Sequence, residues 1–262
     1  MKIVISETAK EACISLTENM IGILKSISGR DVYIALSGGK TPELLYDLWA
    51  RQYEHEIDWK RIQVFWVDER CVPPADRESN YHMAVLHFLS KLPLKEKNIH
   101  RIHGESEPER EAERYSEIVR RILPWEGEIP VFDIILLGAG SDGHTASLFP
   151  ELTETHSISY KNAAEEEEEG ERDGFGHISL YKVAENPYSG QKRITMTFPL
   201  INQASHIFLL VTGSEKQEMV CNLIHGKEAA RFYPVARVKP VRGDLTCFLD
   251  RDSVTDVCLS AK

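Results

Sequence analysis

Short apolar segments, each followed by a polar loop and then by a helical pattern, constrain the fold of this chain more than any other feature. VYIAL (32–36), IQVFWV (62–67) and HIFLLV (206–211) are apolar at nearly every position, as are VFDIILLG, ITMTF and TCFLD. Such segments are typical of strands buried on both faces. Between them, apolar residues recur at spacings of three and four, as from Ala9 to Ile27. This alternation predicts an α/β fold whose mostly parallel sheet carries helices on both faces.

Helix boundaries follow from capping residues. Thr41 before a proline predicts a helix that begins with Thr41 as its N-cap. Ser79 predicts the start of another helix, which runs to about Leu89. No clean linker divides the chain, so we expect a single domain over residues 1–262.

Charge and hydropathy argue against several classes of partner. The formal net charge of −10 argues against nucleic acid or an anionic membrane as the main partner. No apolar run reaches the ~18 residues of a membrane span, and the N-terminal segment lacks a signal-peptide pattern. We therefore expect a cytoplasmic monomer that acts on a small molecule, with a dimer as the alternative.

The cysteines are five in number and scattered, without a C-x-x-C pair. We interpret them as reduced thiols with packing roles, and we expect neither a metal site nor a cofactor. They are Cys13, Cys71, Cys221, Cys247 and Cys258.

One segment has low complexity: AAEEEEEGERDGFG, residues 163–176. Its run of glutamates predicts a solvated, flexible insertion that contributes little to the core. A cation site is a weaker alternative, because consecutive carboxylates without a fixed scaffold bind metals poorly.

The loop SGGKTP follows the strand VYIAL directly. Gly38 and Gly39 would let the backbone approach a ligand, and the helix that follows offers unpaired N–H groups to an anion. A tight strand-to-helix turn without a ligand has the same pattern, so both interpretations stay open. The loop does not have the Walker spacing Gly-x4-Gly-Lys-Ser/Thr.

Charged residues occupy other ends of predicted elements. Asp68, Glu69 and Arg70 end the segment IQVFWV, Arg193 precedes ITMTF, and Lys216 lies in the first turn of a predicted helix. A lysine at that end opposes the helix dipole, and a bound anion would explain it. Because parallel strands place their carboxyl ends at one crevice, these charges are candidates for a shared anion site, with solvated surface turns as the alternative.

The segment GAGSDGH (138–144) matches G-x-G-x-x-G but does not fit a dinucleotide site. Such a site needs an acid about 20 residues later at the end of the next strand, and that position falls near the acidic run. Asp142 beside His144 instead suits an imidazole that is held in one tautomer and takes a proton from water. A histidine that merely satisfies a turn is the alternative.

Taken together, these motifs resemble those of the 6-phosphogluconolactonases, within the superfamily of glucosamine-6-phosphate deaminase and ribose-5-phosphate isomerase. The resemblance spans nearly the whole chain, through LSGGKTP, VDERCVPPADRESNY, LLGAGSDGHTASLFP, RITMTFPLIN, FLLVTGSEK and PVRGDLTCFLD. It implies the Rossmann-like fold that this superfamily shares with CoA transferases, with a small α/β lobe. It also implies hydrolysis of 6-phospho-D-glucono-1,5-lactone to 6-phospho-D-gluconate in the oxidative pentose phosphate pathway, without metal or redox cofactor.

The resemblance implies roles for individual residues. His144 would be the general base with Asp142 beside it, and Arg70 would contact the lactone carbonyl or the phosphate. The substrate and its phosphate would be bound by Ser37, Gly38, Gly39, Thr41, Asp68, Gly140, Arg193 and Lys216. Lys40 stands where the family pattern has serine or threonine, which leaves that contact open.

Two other functions stay open from the sequence. An amino-sugar phosphate deaminase or isomerase would share the glycine loop and Asp-Gly-His. The deaminases, however, have an Asn-Met-Asp-Glu-Tyr type motif where this chain has WVDER, and a carboxylate where it has Phe149. A sugar-phosphate sensor without catalysis is the second alternative, and it would not need His144 beside Asp142.

Overall fold

The computed structural model describes residues 1–150, 176–255 and 258. Its strands, numbered along the chain, are β1 (Lys2–Ser6), β2 (Val32–Leu36), β3 (Ile62–Trp66), β4 (Asp68–Arg70), β5 (Trp125–Glu126), β6 (Ile129–Pro130), β7 (Ile134–Leu137), β8 (Tyr181–Glu185), β9 (Lys192–Met196), β10 (His206–Val211) and β11 (Asp244–Asp250). Its α-helices are α1 (Ala9–Ser26), α2 (Lys40–Gln52), α3 (Asn80–Ala84), α4 (Pro108–Ile122), α5 (Phe198–Asn202) and α6 (Gln217–Ile224), with a π-helical segment, Val85–Leu89, directly after α3. The acidic run predicted as an insertion lies outside the described residues except for Gly176.

The main sheet has six strands in the order β1–β11–β10–β7–β2–β3, and every neighbouring pair is parallel. All residues of β3 and β7 are buried. Burial on both faces explains why these segments are apolar at every position except Gln63. The predicted α/β fold with a mostly parallel sheet is confirmed.

The direction in which the sheet grows reverses at β2. The chain adds β3 on one side of β2 and later adds β7 on the other side, so the loops after β2 and β7 leave the same edge of the sheet and diverge. The Ser37 hydroxyl, just after β2, donates a 2.8 Å hydrogen bond to the Leu136 carbonyl of β7 and ties the two strands together. Parallel sheets bind ligands at such a switch point.

A second sheet is antiparallel, has three strands in the order β4–β9–β8, and begins where β3 ends. The Val67 N–H donates to the Leu36 carbonyl, and the Met196 N–H donates to the Val67 carbonyl, so the two sheets are joined at one residue. Helix α4 packs on this sheet, with the rings of Tyr115 and Tyr181 4.7 Å apart. The segment ITMTF, predicted for the parallel alternation, belongs to this second sheet instead.

Aromatic packing fixes α2 against the main sheet. The ring of Trp49 has those of Tyr46, Trp59 and Phe88 around it at centroid distances of 5.3, 5.7 and 5.7 Å. Buried aromatic side chains contribute heavily to core stability. The hydroxyl of Tyr46 also donates to the Ser37 carbonyl at 2.6 Å, which links this core to the loop after β2.

The predicted helix caps have different outcomes. Ser79 is the N-cap of α3, and its side chain accepts from the His82 N–H, as predicted. The prediction for Thr41 is wrong, because α2 begins at Lys40 with Gly39 as its N-cap. Gly39 has a φ of 110°, which turns the chain directly from strand to helix and which glycine alone adopts readily.

The prediction of five reduced thiols is wrong for one pair. Cys221 of α6 and Cys258 form a disulfide with a Cα–Cα distance of 5.3 Å, because the fold brings position 258 back onto α6. Cys13, Cys71 and Cys247 are free thiols. Separately, no described helix combines the length and the apolar character needed to cross a membrane.

Candidate active site

A cavity of about 280 Å³ opens at the switch point, between the loops after β2 and β7 and the second sheet. Every residue predicted for the site lines this cavity except Asp142, which lies behind His144. The predicted residues that line it are Ser37, Gly38, Gly39, Thr41, Asp68, Arg70, Gly140, His144, Arg193 and Lys216.

The glycine loop presents backbone to the cavity. A Cβ on Gly38 would overlap the side-chain amide of Asn80, so this position requires glycine unless Asn80 moves. The Ser37 hydroxyl proton is used in the bond to Leu136, which leaves Ser37 mainly a structural role. What the loop offers a ligand is therefore its backbone and the N-terminus of α2, where unpaired N–H groups favour an anion.

Asp68 and Glu69 hold the walls of the cavity together. Asp68 accepts hydrogen bonds from Ser147 at 2.6 Å and from the side chain of Asn80 at 3.2 Å. Glu69 is 2% exposed, and burial raises its pKa. Its two oxygens accept from the Ser79 hydroxyl and from three backbone N–H groups, which partly offset the effect of burial on the pKa. Both carboxylates thus fix the start of α3 against β4.

Two guanidinium groups lie side by side on the second sheet, because Arg70 of β4 and Arg193 of β9 are register partners. The Nε atom of each is buried without a hydrogen-bond partner among the described residues. Burial and the nearby charge of Arg70 lower the pKa of Arg193. A buried N–H without an acceptor is costly, and two adjacent cations repel each other. An anion bound in the cavity would relieve both costs.

Lys216 approaches the cavity from the opposite side. It is the last residue of a 3₁₀ turn, Ser214–Lys216, that precedes α6, and its side chain is 20% exposed. Its Nζ lies 3.9 Å from a carboxylate oxygen of Glu215, so part of its charge is already balanced. Near it, the hydroxyls of Thr41 and Thr212 are 2.8 Å apart.

His144 and Asp142 form a short polar contact at the cavity wall. His144 Nδ1 lies 2.6 Å from Asp142 Oδ1, so Nε2 is the ring nitrogen that takes no part in this contact. Burial raises the pKa of Asp142, but the hydrogen bond and charge of His144 outweigh it and hold the pKa at about 2. A carboxylate that stays charged beside Nδ1 keeps the imidazole in one orientation and favours the tautomer with hydrogen on Nδ1.

Two glycines of the loop after β7 are required by the close packing of neighbouring side chains. A Cβ on Gly140 would overlap both Nδ1 of His144 and Oδ1 of Asp142. Gly143 has a φ of 81°, and a Cβ there would overlap the ring of Tyr233. Among the described residues, Ala146 is the one non-glycine residue with a positive φ, 50°. Two glycines of the G-x-G-x-x-G match are therefore required by packing, Gly140 against His144 and Gly143 against Tyr233.

Tyr188 is a site residue that sequence reasoning missed. It lies in the turn between β8 and β9, and its hydroxyl donates to Asp142 Oδ2 at 2.9 Å. Burial together with the hydrogen bond and charge of Asp142 raises the pKa of Tyr188 to about 12. Nothing in the segment ENPYSGQ signals this contact, because it joins residues 46 positions apart.

Comparison with known proteins identifies relatives over nearly the full length. Residues 6–247 match the family model of glucosamine-6-phosphate isomerases/6-phosphogluconolactonase. The chain is 40% identical to a 6-phosphogluconolactonase from Treponema pallidum over 76% of this chain and 75% of that protein. It is 36% identical to a 6-phosphogluconolactonase from Haemophilus influenzae over 94% of this chain and 96% of that protein.

The structural comparison agrees with the sequence comparison. The 6-phosphogluconolactonase from Trypanosoma brucei superposes with a TM-score of 0.75 at 27% identity, over 96% of this chain and 97% of that one. The switch point and the second sheet therefore belong to an architecture that is shared across distant sequences.

Proposed function

The chain belongs to the glucosamine-6-phosphate isomerase/6-phosphogluconolactonase family, and within it we propose that the chain hydrolyses 6-phospho-D-glucono-1,5-lactone to 6-phospho-D-gluconate in the pentose phosphate pathway. One observation carries the proposal: a single cavity joins the paired guanidinium groups of Arg70 and Arg193 to the His144–Asp142 pair. A phosphorylated lactone needs both an anion anchor and a base. The relatives named as lactonases support this choice.

The phosphate is anchored at the cationic end of the cavity. Arg193 and Lys216 supply charge, and the backbone after β2 supplies N–H groups at the start of α2. Binding energy from this remote group positions the lactone carbonyl, so the phosphate contributes to rate as well as to affinity.

His144 then removes a proton from a water that attacks C1 of the lactone. Asp142 accepts from Nδ1, so Nε2 is the nitrogen that takes the proton. The negative charge that develops on the carbonyl oxygen is stabilised by Arg70 or by backbone N–H groups. When the tetrahedral intermediate collapses, the C1–O bond to the ring oxygen breaks, and the imidazolium returns its proton to that oxygen.

Deamination of an amino-sugar phosphate is disfavoured by Phe149. This residue stands where the deaminases place a carboxylate, and its ring lies 4.9 Å from that of His144 and 5.6 Å from the guanidinium of Arg193. A phenylalanine at this position supplies no acid that could assist ring opening.

The test is turnover of freshly prepared 6-phosphogluconolactone, coupled to a dehydrogenase that consumes the product, with spontaneous hydrolysis subtracted. Glucosamine 6-phosphate serves as the control substrate, with ammonia release as the readout. Lactone hydrolysis well above the spontaneous rate is expected, without ammonia release. Ammonia release without enhanced lactone hydrolysis would overturn the proposal, and binding without turnover of either substrate would identify a sensor.

A further inference from the structure

Three side chains that commonly bind metals meet at the C-terminal end of α6. Cys221 and His225 are one helical turn apart, and the His225 N–H donates to the Cys221 carbonyl at 3.2 Å. Cys258, which lies 37 residues after Cys221, returns to the same place. One ligand atom from each of the three residues lies within 4.8 Å of the other two.

The disulfide between the two cysteines does not explain why the imidazole of His225 lies beside them. Its Nε2 atom is buried, and it has no hydrogen-bond partner in the described parts of the chain. A buried ring nitrogen without a partner is unfavourable, and a disulfide sulfur is at best a weak acceptor. A helix C-terminus also carries partial negative charge, which favours a cation there.

We propose that, in the reduced protein, Cys221, His225 and Cys258 bind one Zn²⁺ ion through two thiolates and one imidazole nitrogen. Both thiols lose their protons to solvent on binding, and the histidine binds in its neutral form. Three protein ligands leave the fourth tetrahedral position to a water. A thiolate and imidazole set of this kind favours zinc over magnesium or calcium, which prefer oxygen ligands.

The metal-bound and disulfide-bonded states exclude each other. Tetrahedral zinc with bond lengths of about 2.3 Å to sulfur holds two thiolates roughly 3.8 Å apart, which is incompatible with a bond between them. Sequence reasoning overlooked the set because its spacing, C-x3-H with a distant third ligand, is not a C-x-x-C pattern.

The zinc site is independent of the proposed lactonase function. None of its three residues is among those that line the active-site cavity. The proposal concerns metal binding alone, so its outcome does not depend on lactone turnover.

The test uses the full chain, reduced and then freed of reductant without oxygen. Co²⁺ serves as the probe, because tetrahedral cobalt with thiolate ligands gives strong visible and near-ultraviolet bands. One equivalent of Co²⁺ is expected to bind with those bands, and Zn²⁺ is expected to abolish them. Protein oxidised to the disulfide is expected to bind none. A folded, reduced wild-type protein without thiolate–cobalt bands overturns the proposal, whatever the variants do.

Variants assign the ligands. Cys221→Ser is expected to remove the charge-transfer bands, and His225→Gln to weaken Co²⁺ binding at least tenfold. Cys71→Ser is the matched control, because it also removes one thiol but lies outside the cluster, and it is expected to bind as wild type. Circular dichroism confirms that each variant is folded. Unchanged affinity in folded His225→Gln contradicts the assignment of the imidazole, and thiolate–cobalt bands that disappear only in Cys71→Ser place the metal elsewhere.

Discussion

The two sheets that border the cavity contribute to it in different ways. The parallel sheet contributes loops: the glycine turn after β2 and the turn after β7 that carries His144. The antiparallel sheet contributes side chains in register, with Arg70 and Arg193 directly opposite each other on β4 and β9. The imidazole proposed as the base thus comes from a loop, whereas the two arginines come from regular strands.

This difference has a physical basis. Loops at the carboxyl edge of a parallel sheet bring backbone N–H groups and helix N-termini together, but they fix a side chain only through added contacts. His144 has such contacts in Asp142 and Phe149. Cross-strand register places two long side chains side by side, and contacts such as that of Arg193 with the Phe149 ring add to it. The comparison predicts that damage to the loop after β7 acts on the chemical step, whereas loss of Arg193 from the antiparallel sheet acts on phosphate recognition.

The largest effect is expected at His144, on the loop of the parallel sheet. His144→Asn removes the proposed base and leaves the arginines in place, so kcat should fall by about 10²–10⁴ with little change in substrate binding. The measurement is turnover of the phosphorylated lactone after subtraction of spontaneous opening.

A matched histidine–carboxylate pair exists at the opposite edge of the same sheet. His206 Nδ1 lies 2.9 Å from Asp244, at the first residues of β10 and β11. His206→Asn should therefore keep wild-type kcat. A normal kcat in His144→Asn would exclude the proposed mechanism, and it would leave Asp68 or Glu69 to be tested as the base.

Arg193→Ala should have the next largest effect, and it addresses the antiparallel sheet. Charge-assisted contacts to phosphate contribute roughly 1.5–3 kcal/mol, so kcat/KM should fall about ten- to a hundredfold or more. Lys216→Ala should act in the same direction but less, because Glu215 already balances part of its charge. Exposed Arg51, on α2, offers a control that removes one positive charge far from the cavity.

The substrate comparison makes this test specific. Unphosphorylated gluconolactone lacks the anion, so any activity on it should hardly change in Arg193→Ala. Equal losses on both substrates would mean that Arg193 serves the fold or the lactone ring.

Gly140→Ala should lower kcat about tenfold, because small misplacements of catalytic groups are costly. The added Cβ would overlap both His144 and Asp142 and force the pair apart without removing either group. Gly22→Ala is the control, since a Cβ there meets nothing within 4 Å. A raised KM with normal kcat would instead mean that Gly140 contacts the substrate.

The sequence allowed the parallel sheet and its crevice to be predicted because those signals are local. Buried strands such as β3 and β7 are apolar at nearly every position, and their following loops carry glycines and charges. The antiparallel sheet was missed because β4 reads Asp-Glu-Arg and pairs with a strand more than 120 residues later. β1, at the edge of the main sheet, was also missed, since it is short and largely exposed.

Individual side chains fall into the same two groups, those that local sequence predicts and those that depend on contacts between distant segments. Arg70 and Arg193 could be named as charges near strand ends, but their pairing depends on register between distant strands. Glu69 resembles a surface acid in sequence, and only the fold surrounds it with backbone donors from α3. Long-range pairing therefore sets the limit of what local pattern predicts.

The smallest effect is expected at Tyr188, which links the two sheets, because it lies beside the antiparallel sheet and donates to the acid of the parallel-sheet loop. Tyr188→Phe removes one hydrogen bond to Asp142, and the hydrogen bond between Asp142 and His144 remains. Since Tyr188 is 57% exposed, water can replace the hydroxyl, and kcat should fall only about two- to fivefold. Tyr33→Phe is the control, because Tyr33 lies near the start of β2, at the end of that strand opposite the cavity.

The lost bond between Tyr188 and Asp142 should raise the pKa of Asp142 from about 2 towards its usual 3.8. A carboxyl whose pKa is lower in the folded than in the unfolded protein stabilises the fold at pH values above its unfolded pKa. This stabilisation is lost as the pH falls through the pKa of the folded state. The variant should therefore be less stable to urea near neutral pH, and the difference should shrink below about pH 4. The shape of the kcat profile above about pH 5 should not change, because Asp142 stays ionised there in both proteins. A loss of kcat as large as that of His144→Asn would mean that Tyr188 acts in the reaction beyond its bond to Asp142, and unchanged stability and kcat would mean that this hydrogen bond contributes nothing.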